Sequence, residues 1–399
     1  MTDSAQSRAA TLGSWLPTAI NVQGTYWGFL RLATLPGWPH FLLARASSLC
    51  RAPRAPLVES SMLMHESANK ENPMTVRIGI LGAANIAPTA VIVPAKDHQD
   101  IEVVAVAARQ RDRAEAFATE HSIPQVLDDY QAVIDSPDVD VVYIPTPAAL
   151  HGRWTLKAIK AGKHVLCEKP FTANGEEAEE VAQAARHRGV VVMEAMHSQY
   201  HPLWHEALTA LRSGEIGTVL EASAVFDVPI PDRGDIRWNP QLGGGALMDL
   251  GVYPLTLLRY LFGDLDLISA KAEDIDGVDY SLEGHYKSGA GADVALFTSM
   301  EEGTSEVQRL VVRGTGGTLT LDHFVHPQGG GSLVIDGDGG HRDVLAEGAS
   351  SYSHMLGALA AAVQGGGTVP TDAQAAVQTM HAIDELYREA GLEPRRPLA

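Results

Sequence analysis

From Val76 onward the chain alternates short β-branched apolar runs with segments whose apolar residues recur at helical spacing. Apolar runs of about four to eight residues are typical of buried strands, and an i, i+3, i+4 recurrence is typical of helices. The predicted strands are Val76–Leu81, Ile101–Ala107, Val139–Ile144, His164–Cys167 and Val190–Met193, and the predicted helices include Asp112–Glu120, His151–Ala161 and Glu176–His187. This alternation predicts a doubly wound parallel sheet.

After about Met196 the pattern changes to strand after strand, joined by turn signals such as the glycine-rich stretch 314–317. These runs predict a large, mostly antiparallel sheet. Its strands are Val219–Val228, Leu267–Ile275, Tyr280–Tyr286, Val294–Met300, Val307–Val312, Thr318–Leu321 and Leu333–Ile335. Two helices follow, Tyr352–Val363 and Asp372–Glu389. The predicted fold class is therefore α/β, with a parallel-sheet domain over residues 74–196 and an α+β domain over residues 197–399.

Residues 1–73 differ from the rest of the chain. They carry six basic and four acidic side chains, a net charge of +2, whereas the whole chain has a net charge of -19. Their apolar stretch is interrupted by Pro36 and Pro39 and lacks the basic start and continuous apolar core of a secretory signal. We expect a poorly ordered extension, or one that is not translated at all, with Met74 as the natural start. A transit-like targeting role is the alternative.

The composition limits the classes of partner. Hydrophobic residues make up 45% and charged residues 20% of the chain, which suits a globular protein with a sizeable core. A net charge of -19 repels nucleic acid phosphates and anionic lipid surfaces, so we expect neither as a partner. The two cysteines, Cys50 and Cys167, lie in no ligand-like cluster and fit a reducing compartment, the cytoplasm.

The end of the first predicted strand has the features of a dinucleotide-binding loop. Gly82 permits a tight turn after Leu81, and the amides of the following residues, including Ala84, Asn85 and Ile86, are placed to bind a pyrophosphate at a helix start. The usual pattern is G-x-G-x-x-G/A, and here Ala84 replaces the second glycine. The position at the head of a βαβ series supports a Rossmann domain.

The end of the second predicted strand indicates which dinucleotide binds. NAD sites usually present Asp or Glu there to hold the ribose 2′-hydroxyl. This chain has Arg109 instead, with Arg113 one helical turn further on. A planar guanidinium suits a 2′-phosphate, so we predict NADP in preference to NAD.

Several further motifs carry a resemblance to a known family. They are Thr146-Pro147 followed by His151, then Glu168-Lys169-Pro170, Met193-Glu194-Ala195, Tyr200-His201-Pro202 and the stretch from Gly243 to Pro254. In this order they resemble the glucose–fructose oxidoreductase / inositol dehydrogenase (Gfo/Idh/MocA) family from about Val76 to the end. The resemblance implies hydride transfer to or from a small-molecule substrate, cofactor contacts from Thr146, His151, Glu168 and Lys169, and a homodimer or higher homo-oligomer formed through the open face of the second sheet.

Within that family, the stretch ending in Asp249-Leu250-Gly251-Val252-Tyr253 looks most like dimeric dihydrodiol dehydrogenases and NADP-dependent aldose 1-dehydrogenases. Inositol dehydrogenases of the other branch carry histidine where Tyr253 stands. The resemblance therefore argues against an inositol dehydrogenase.

The residue types support proton chemistry at this place. Asp249 and Tyr253 are four apart and share a face of a helix, while Lys169 follows a strand end, where open α/β sheets bind ligands. A free tyrosine has a pKa of about 10, which a nearby ammonium lowers. We predict Tyr253 as acid/base, Lys169 as its electrostatic partner and Asp249 as an orienting acceptor. The reverse assignment, with Lys169 as the base, stays open.

Two weaker sequence signals concern metal binding and the substrate pocket. His197, His201 and His205 are spaced four apart, but no carboxylate at ligand spacing completes a metal site, so no metal is predicted. Arg237 and Trp238 precede the glycine run and are candidates for the substrate pocket.

The sequence thus predicts an NADP-dependent oxidoreductase that acts on an aldose or a cyclic trans-diol. The alternatives are a cofactor-binding regulator or sensor without turnover, and a reductase of a non-sugar carbonyl. The presence of both Lys169 and Tyr253 favours the enzyme.

Overall fold

The structure of the protein, a computed structural model, describes residues 74–398. The predictions for residues 1–73 lie outside this range. The first sheet has six parallel strands in the order β3-β2-β1-β4-β5-β6, the order of a Rossmann fold. They are β1 (Val76–Leu81), β2 (Ile101–Ala107), β3 (Gln125–Val126), β4 (Val141–Ile144), β5 (His164–Cys167) and β6 (Val192–Glu194).

Helices cover both faces of this sheet, as an apolar parallel sheet requires. A π-helical turn, Pro88–Ile92, continues directly into α1. The helices are α1 (Val93–Ala95), α2 (Arg111–His121), α3 (Tyr130–Asp135), α4 (His151–Lys160) and α5 (Gly175–Arg188). Gly79 of β1 allows α3 to pack closely, since a Cβ there would lie 2.6 Å from Cγ1 of Val133.

The second sheet has eight strands in the order β14-β13-β12-β11-β7-β10-β9-β8. They are β7 (Val219–Asp227), β8 (Leu265–Ile275), β9 (Val278–Ser288), β10 (Asp293–Ser299), β11 (Val307–Gly314), β12 (Gly317–Asp322), β13 (Ser332–Gly337) and β14 (Gly340–Leu345). All neighbours are antiparallel except β7 and β10, which pair in parallel. The prediction of a mostly antiparallel second sheet is confirmed.

The later α-helices of the described chain are α6 (Pro202–Ser213), α7 (Val252–Phe262), α8 (Ser351–Val363) and α9 (Ala373–Glu389). A second π-helical turn, Leu247–Gly251, leads into α7. Asp372 caps α9, because its carboxylate accepts a hydrogen bond from the backbone N–H of Ala375. Among residues 74–398 no helix is both long and apolar enough to cross a membrane.

The differences from the predicted elements have local causes. The last strand of the first sheet is Val192–Glu194 rather than Val190–Met193, because Gly189 caps α5 in a left-handed conformation and residues 190 and 191 form the connection. The edge strand β14 is missing from the prediction, since its sequence, Gly-His-Arg-Asp-Val-Leu, lacks the apolar alternation of a half-buried strand.

The two sheets share one hydrophobic core. Buried side chains of β4 and β5, such as Val142 and Val165, belong to the same cluster as Leu296 of β10 and Leu310 of β11. A second cluster lies on the other face of the first sheet, where Leu356 of α8 packs. The shared core fixes the carboxyl ends of β4 and β5 against the helix that carries Tyr253.

Candidate active site

A cavity of about 590 Å³ opens at the carboxyl ends of β4 and β5. The turns after these strands form one wall, and the segment from Phe226 to Tyr253 forms much of the other. Parallel sheets bind ligands at this edge. The predicted site residues that line the cavity are Ile86, Thr146, His151, Glu168, Lys169, Arg237, Asp249 and Tyr253.

The Asp249 carboxylate joins two cations at the centre of this wall. The Nζ of Lys169 lies 2.9 Å from Oδ1 of Asp249 and 2.8 Å from its backbone oxygen. The Nε of Arg237 donates to the other carboxylate oxygen. Burial opposes ionisation of Asp249, but the charges of Lys169 and Arg237 outweigh it and lower its pKa to about 2. Asp249 is therefore a carboxylate that holds the side chains of Lys169 and Arg237 in the cavity wall.

Tyr253 meets Lys169 in a way that differs from the prediction. The ammonium lies 5.0 Å from the centroid of the Tyr253 ring, over its face rather than beside its hydroxyl. Burial raises the pKa of Tyr253 well above its ordinary value, and nearby Tyr352 and Glu168 raise it further. Burial and these neighbours therefore act against the lowering of the Tyr253 pKa that was expected from Lys169.

Glu168 and His151 hold the turn that carries Lys169. The hydroxyl of Tyr143 donates to Oε1 of Glu168 at 2.8 Å, and burial raises the pKa of Glu168. The ring nitrogens of His151 lie 2.8 Å from the oxygen of Pro170 and 2.6 Å from that of Thr146. Burial lowers the pKa of His151 to about 4, and the contacts with the two carbonyl oxygens act against this lowering. The buried ring ties the turns after β4 and β5 together.

The turn after β1 has the shape that a dinucleotide needs. Gly82 has a φ of 126°, and a Cβ there would lie 3.3 Å from the hydroxyl of Tyr130, so this left-handed position favours glycine. Ala84 and Asn85 follow in the turn, and Ile86 is exposed at the cavity. Near the cavity, the Oγ1 of Thr146 is buried without a hydrogen-bond partner among residues 74–398. These features fit a bound dinucleotide.

Both predicted 2′-phosphate ligands lie beside this turn. Arg113 donates to the backbone oxygen of Ala83 at 3.2 Å, and both Arg109 and Arg113 are exposed. Burial raises the pKa of Tyr130, and the charges of the two arginines act against this rise, which places them near its hydroxyl. The structure thus brings Arg109, Arg113 and the Gly82 turn together.

The glycine run 243–245 packs against the protein. Gly245 has a φ of 140°, and a Cβ there would collide with Asp279, Arg395 and Tyr387. Arg395 is buried, donates to the backbone oxygen of Gly244 at 2.7 Å and pairs with Asp279 at 2.6 Å. The other Asp279 oxygen accepts the backbone N–H of Leu247 at 2.7 Å. This buried pair fixes the start of the turn that carries Asp249.

Some residues lie elsewhere than predicted. Trp238 does not line the cavity: its indole N–H donates to the oxygen of Ile230 at 3.0 Å, and Arg233 lies over its ring. The three spaced histidines point to different partners. His201 caps α6, and His205 lies 2.7 Å from the hydroxyl of Tyr260.

Other residues at the site have no role in the sequence-based prediction. His197 lies 3.4 Å from the hydroxyl of Tyr253, and Tyr352 and His326 line the cavity. Glu194 is buried with Oε1 unpaired within the described residues, and burial raises its pKa to about 7. Of these, Glu194 and His197 stand in or beside a motif that the sequence had singled out, whereas nothing in the local sequence indicates Tyr352 or His326.

Comparison with known proteins identifies the class. Residues 76–196 match the model of the oxidoreductase family with an NAD-binding Rossmann fold (GFO_IDH_MocA), and residues 204–320 match the GFO/IDH/MocA C-terminal domain. The chain therefore belongs to the Gfo/Idh/MocA family of oxidoreductases, as the resemblance predicts.

Within the family, the chain is similar to several named dehydrogenases and reductases. A D-xylose 1-dehydrogenase (NADP(+)) of Haloferax volcanii is 35% identical over 78% of this chain and 96% of its own length. A trans-1,2-dihydrobenzene-1,2-diol dehydrogenase of Mus musculus is 41% identical over 48% of this chain and 57% of its own length. The crystal structure of KijD10, a 3-ketoreductase from Actinomadura kijaniata in complex with NADP and TDP-benzene, matches with a TM-score of 0.74 and 28% identity, covering 79% and 98% of the two chains.

Proposed function

We propose that this protein catalyses NADP(H)-dependent hydride transfer at a hydroxyl or carbonyl carbon of an aldose or a cyclic trans-diol. One observation carries the proposal: Lys169, Asp249 and Tyr253 meet in a cavity at the carboxyl ends of β4 and β5. The names of the xylose and dihydrodiol dehydrogenases support this substrate class, and the NADP-bound ketoreductase supports the cofactor.

The side chains have distinct roles in this reaction. A bound nicotinamide supplies the acceptor or donor of a hydride. Tyr253 passes a proton to or from the substrate oxygen. The Lys169 ammonium stabilises negative charge on that oxygen, and Asp249 together with Arg237 holds the ammonium in place. Thr146, whose buried hydroxyl lacks a partner within the described residues, is placed to bind the cofactor.

A substrate panel tests the proposal. Purified protein is mixed with NADP⁺ and with aldoses, polyols or dihydrodiols, and the absorbance of the reduced nicotinamide is followed. We expect turnover with at least one aldose or trans-diol. Cofactor binding without turnover of any panel member would instead favour a regulator or sensor.

The cofactor preference gives a separate prediction. We expect the parent protein to use NADP⁺ with a higher kcat/KM than NAD⁺, and Arg109→Asp to lower the value for NADP⁺ about 10- to 100-fold, the effect of losing a charge-assisted hydrogen bond. The measurement is steady-state kinetics with both cofactors.

Arg111 provides the matched control for this test. It is exposed two residues from Arg109, but it pairs with Glu115 and Asp128 instead of facing the Gly82 turn. Arg111→Asp should therefore leave the ratio of the two kcat/KM values close to that of the parent. Equal values for NADP⁺ and NAD⁺ in the parent would contradict the assignment.

We further propose that residues 74–196 form the cofactor domain and that residues 197–399 form the substrate domain.

We also propose that the protein acts as a cytoplasmic homodimer. Exposed Leu220 and Ile268 on the second sheet support pairing of two copies through its open face. The buried free thiol of Cys167 supports a reducing compartment. Sedimentation velocity tests the oligomeric state.

A further inference from the structure

Behind Tyr253 lies His197, in the turn that follows β6. It is only 2% exposed. Its Nδ1 lies 2.8 Å from the Oγ of Ser351, the first residue of α8, and its Nε2 lies 3.4 Å from the hydroxyl of Tyr253. The ring of Tyr352 stacks on the imidazole with centroids 3.8 Å apart. Two helices, α7 through Tyr253 and α8 through Ser351 and Tyr352, therefore fix the position of the ring.

The hydrogen bonds of Ser351 determine which ring nitrogen of His197 carries the proton. The backbone N–H of Ser351 lies 3.4 Å from Oε1 of Gln328 and donates to it, so this amide presents its oxygen. The hydroxyl of Ser351 donates to the same oxygen at 3.0 Å. The Oγ of Ser351 then offers only lone pairs, and His197 must donate to it from Nδ1. Nε2 is left as a bare acceptor that faces the hydroxyl of Tyr253.

We propose that His197 is a positioning residue that takes up, through Tyr253, the proton that the substrate hydroxyl loses. The inference rests on the proposed function of the cavity. Tyr253 contacts the substrate, and His197 acts behind it. The contact of 3.4 Å is at the long end of the hydrogen-bond range, as catalytic contacts often are before substrate binds.

Two protons move when the substrate is oxidised, one from the substrate to Tyr253 and one from Tyr253 to His197. The substrate O–H bond breaks and a new O–H bond forms on Tyr253, while the original Tyr253 O–H bond breaks and an N–H bond forms on Nε2 of His197. The electron pair of the substrate C–H bond leaves as hydride to the nicotinamide, and a carbonyl forms. Tyr253 stays neutral throughout, which removes the need to ionise a buried phenol whose pKa is raised.

The protonation state of His197 sets how the rate of substrate oxidation depends on pH. Burial lowers the pKa of His197 well below its ordinary value, and His326 and Lys169 lower it further, so the imidazole is neutral at and above neutral pH. The rate of oxidation should fall only in acid, as His197 becomes protonated and can no longer accept. The titratable groups that face His197 or Tyr253 from neighbouring elements are Lys169, Asp249, Glu168, Glu194, His326 and Tyr352.

The first test needs no turnover. Protein labelled with ¹⁵N-histidine is compared with the His197→Gln variant to assign the His197 ring among the 16 histidines. At pH 7.5 we expect Nδ1 to carry the proton and Nε2 to give the signal of an unprotonated nitrogen. The opposite tautomer, or an imidazolium, overturns the inference.

The second test is the pH profile of kcat. Gln fills much of the same space but cannot take up a proton. His197→Gln should lower kcat at pH 7 by about 10²-fold, within the range for proton transfer, and make the rate of oxidation rise through the alkaline range, because Tyr253 must now ionise. A kcat within about threefold of the parent, with an unchanged profile, overturns the inference.

A control and a second variant separate function from folding. His201→Asn also replaces a buried histidine and keeps a residue that caps α6, so it should retain the parent profile. If His197→Gln fails to fold, the Ser351→Ala variant replaces it in the test. In that variant we expect a mixture of the two His197 tautomers and a loss in kcat of about tenfold, the value of one hydrogen bond. An unchanged tautomer in that variant overturns the inference. A parent protein without turnover refutes the proposed function, whereas the tautomer still tests the arrangement.

Discussion

Tyr253→Phe and Lys169→Ala should each lower kcat by about 10²–10⁴-fold while NADP⁺ still binds. The first change removes the hydroxyl that faces His197, and the second removes the ammonium that Asp249 holds beside the cavity. Because both disable one unit, the double variant should lose little more than either single variant. Single-turnover kinetics, together with NADPH binding followed by fluorescence, provide the measurement.

Two residues of the same types supply the controls. Tyr260 lies on the same helix, and its hydroxyl contacts His205 outside the cavity, so Tyr260→Phe should keep the parent kcat. Lys157 lies over the ring of Trp154, and Lys157→Ala should also keep the parent kcat. If Tyr253→Phe kept nearly normal kcat at every pH, the role of base would pass to Lys169. Parent-like behaviour of both variants, with no substrate found in the panel, would favour a non-catalytic protein.

Arg395→Met should destabilise the fold by about 3–5 kcal/mol, the cost of leaving a buried charge without its partner. Asp279 is fully buried, and Arg395 is its ion-pair partner at 2.6 Å. Burial raises the pKa of Asp279, and the Arg395 charge is the largest effect that opposes this. Urea unfolding followed by circular dichroism measures the loss. We also expect kcat to fall, since Arg395 holds Gly244 just ahead of the turn with Asp249.

The neighbouring Arg396 is exposed and offers the matched substitution. Arg396→Met should change the free energy of unfolding by less than about 0.5 kcal/mol, as exposed positions usually do. Adding Asp279→Asn to Arg395→Met should recover part of the stability, because the unpaired charge is removed. Equal stability of the Arg395 and Arg396 variants would show that the buried pair contributes nothing.

The sequence predicted those strands and helices whose formation depends on residues that are close together in the chain. β1, β2 and β5 are apolar on both faces, and their predicted bounds agree with the structure residue for residue. α8 and α9 were predicted with the correct last residues, and each begins one residue away from its predicted start. The order of alternating strands and helices was enough to predict the Rossmann sheet, because parallel crossovers follow few topologies.

Features that depend on distant partners escaped prediction. The role of His197 depends on Ser351, which lies 154 residues further along the chain. The need for glycine at position 245 depends on the buried pair of Asp279 and Arg395, with which a Cβ would collide. The raised pKa of Tyr253 likewise follows from burial by surrounding elements, which a motif does not report.

The position of β7 has a consequence for how the chain is made. β7 precedes every other strand of the second sheet in sequence, yet it lies between β10 and β11. It therefore lacks both of its hydrogen-bonding neighbours until residues 293–314 have left the ribosome. At ~5–20 residues per second, the interval from residue 227 to residue 314 is on the order of ten seconds. During that time an apolar strand with two open edges needs protection from other nascent chains.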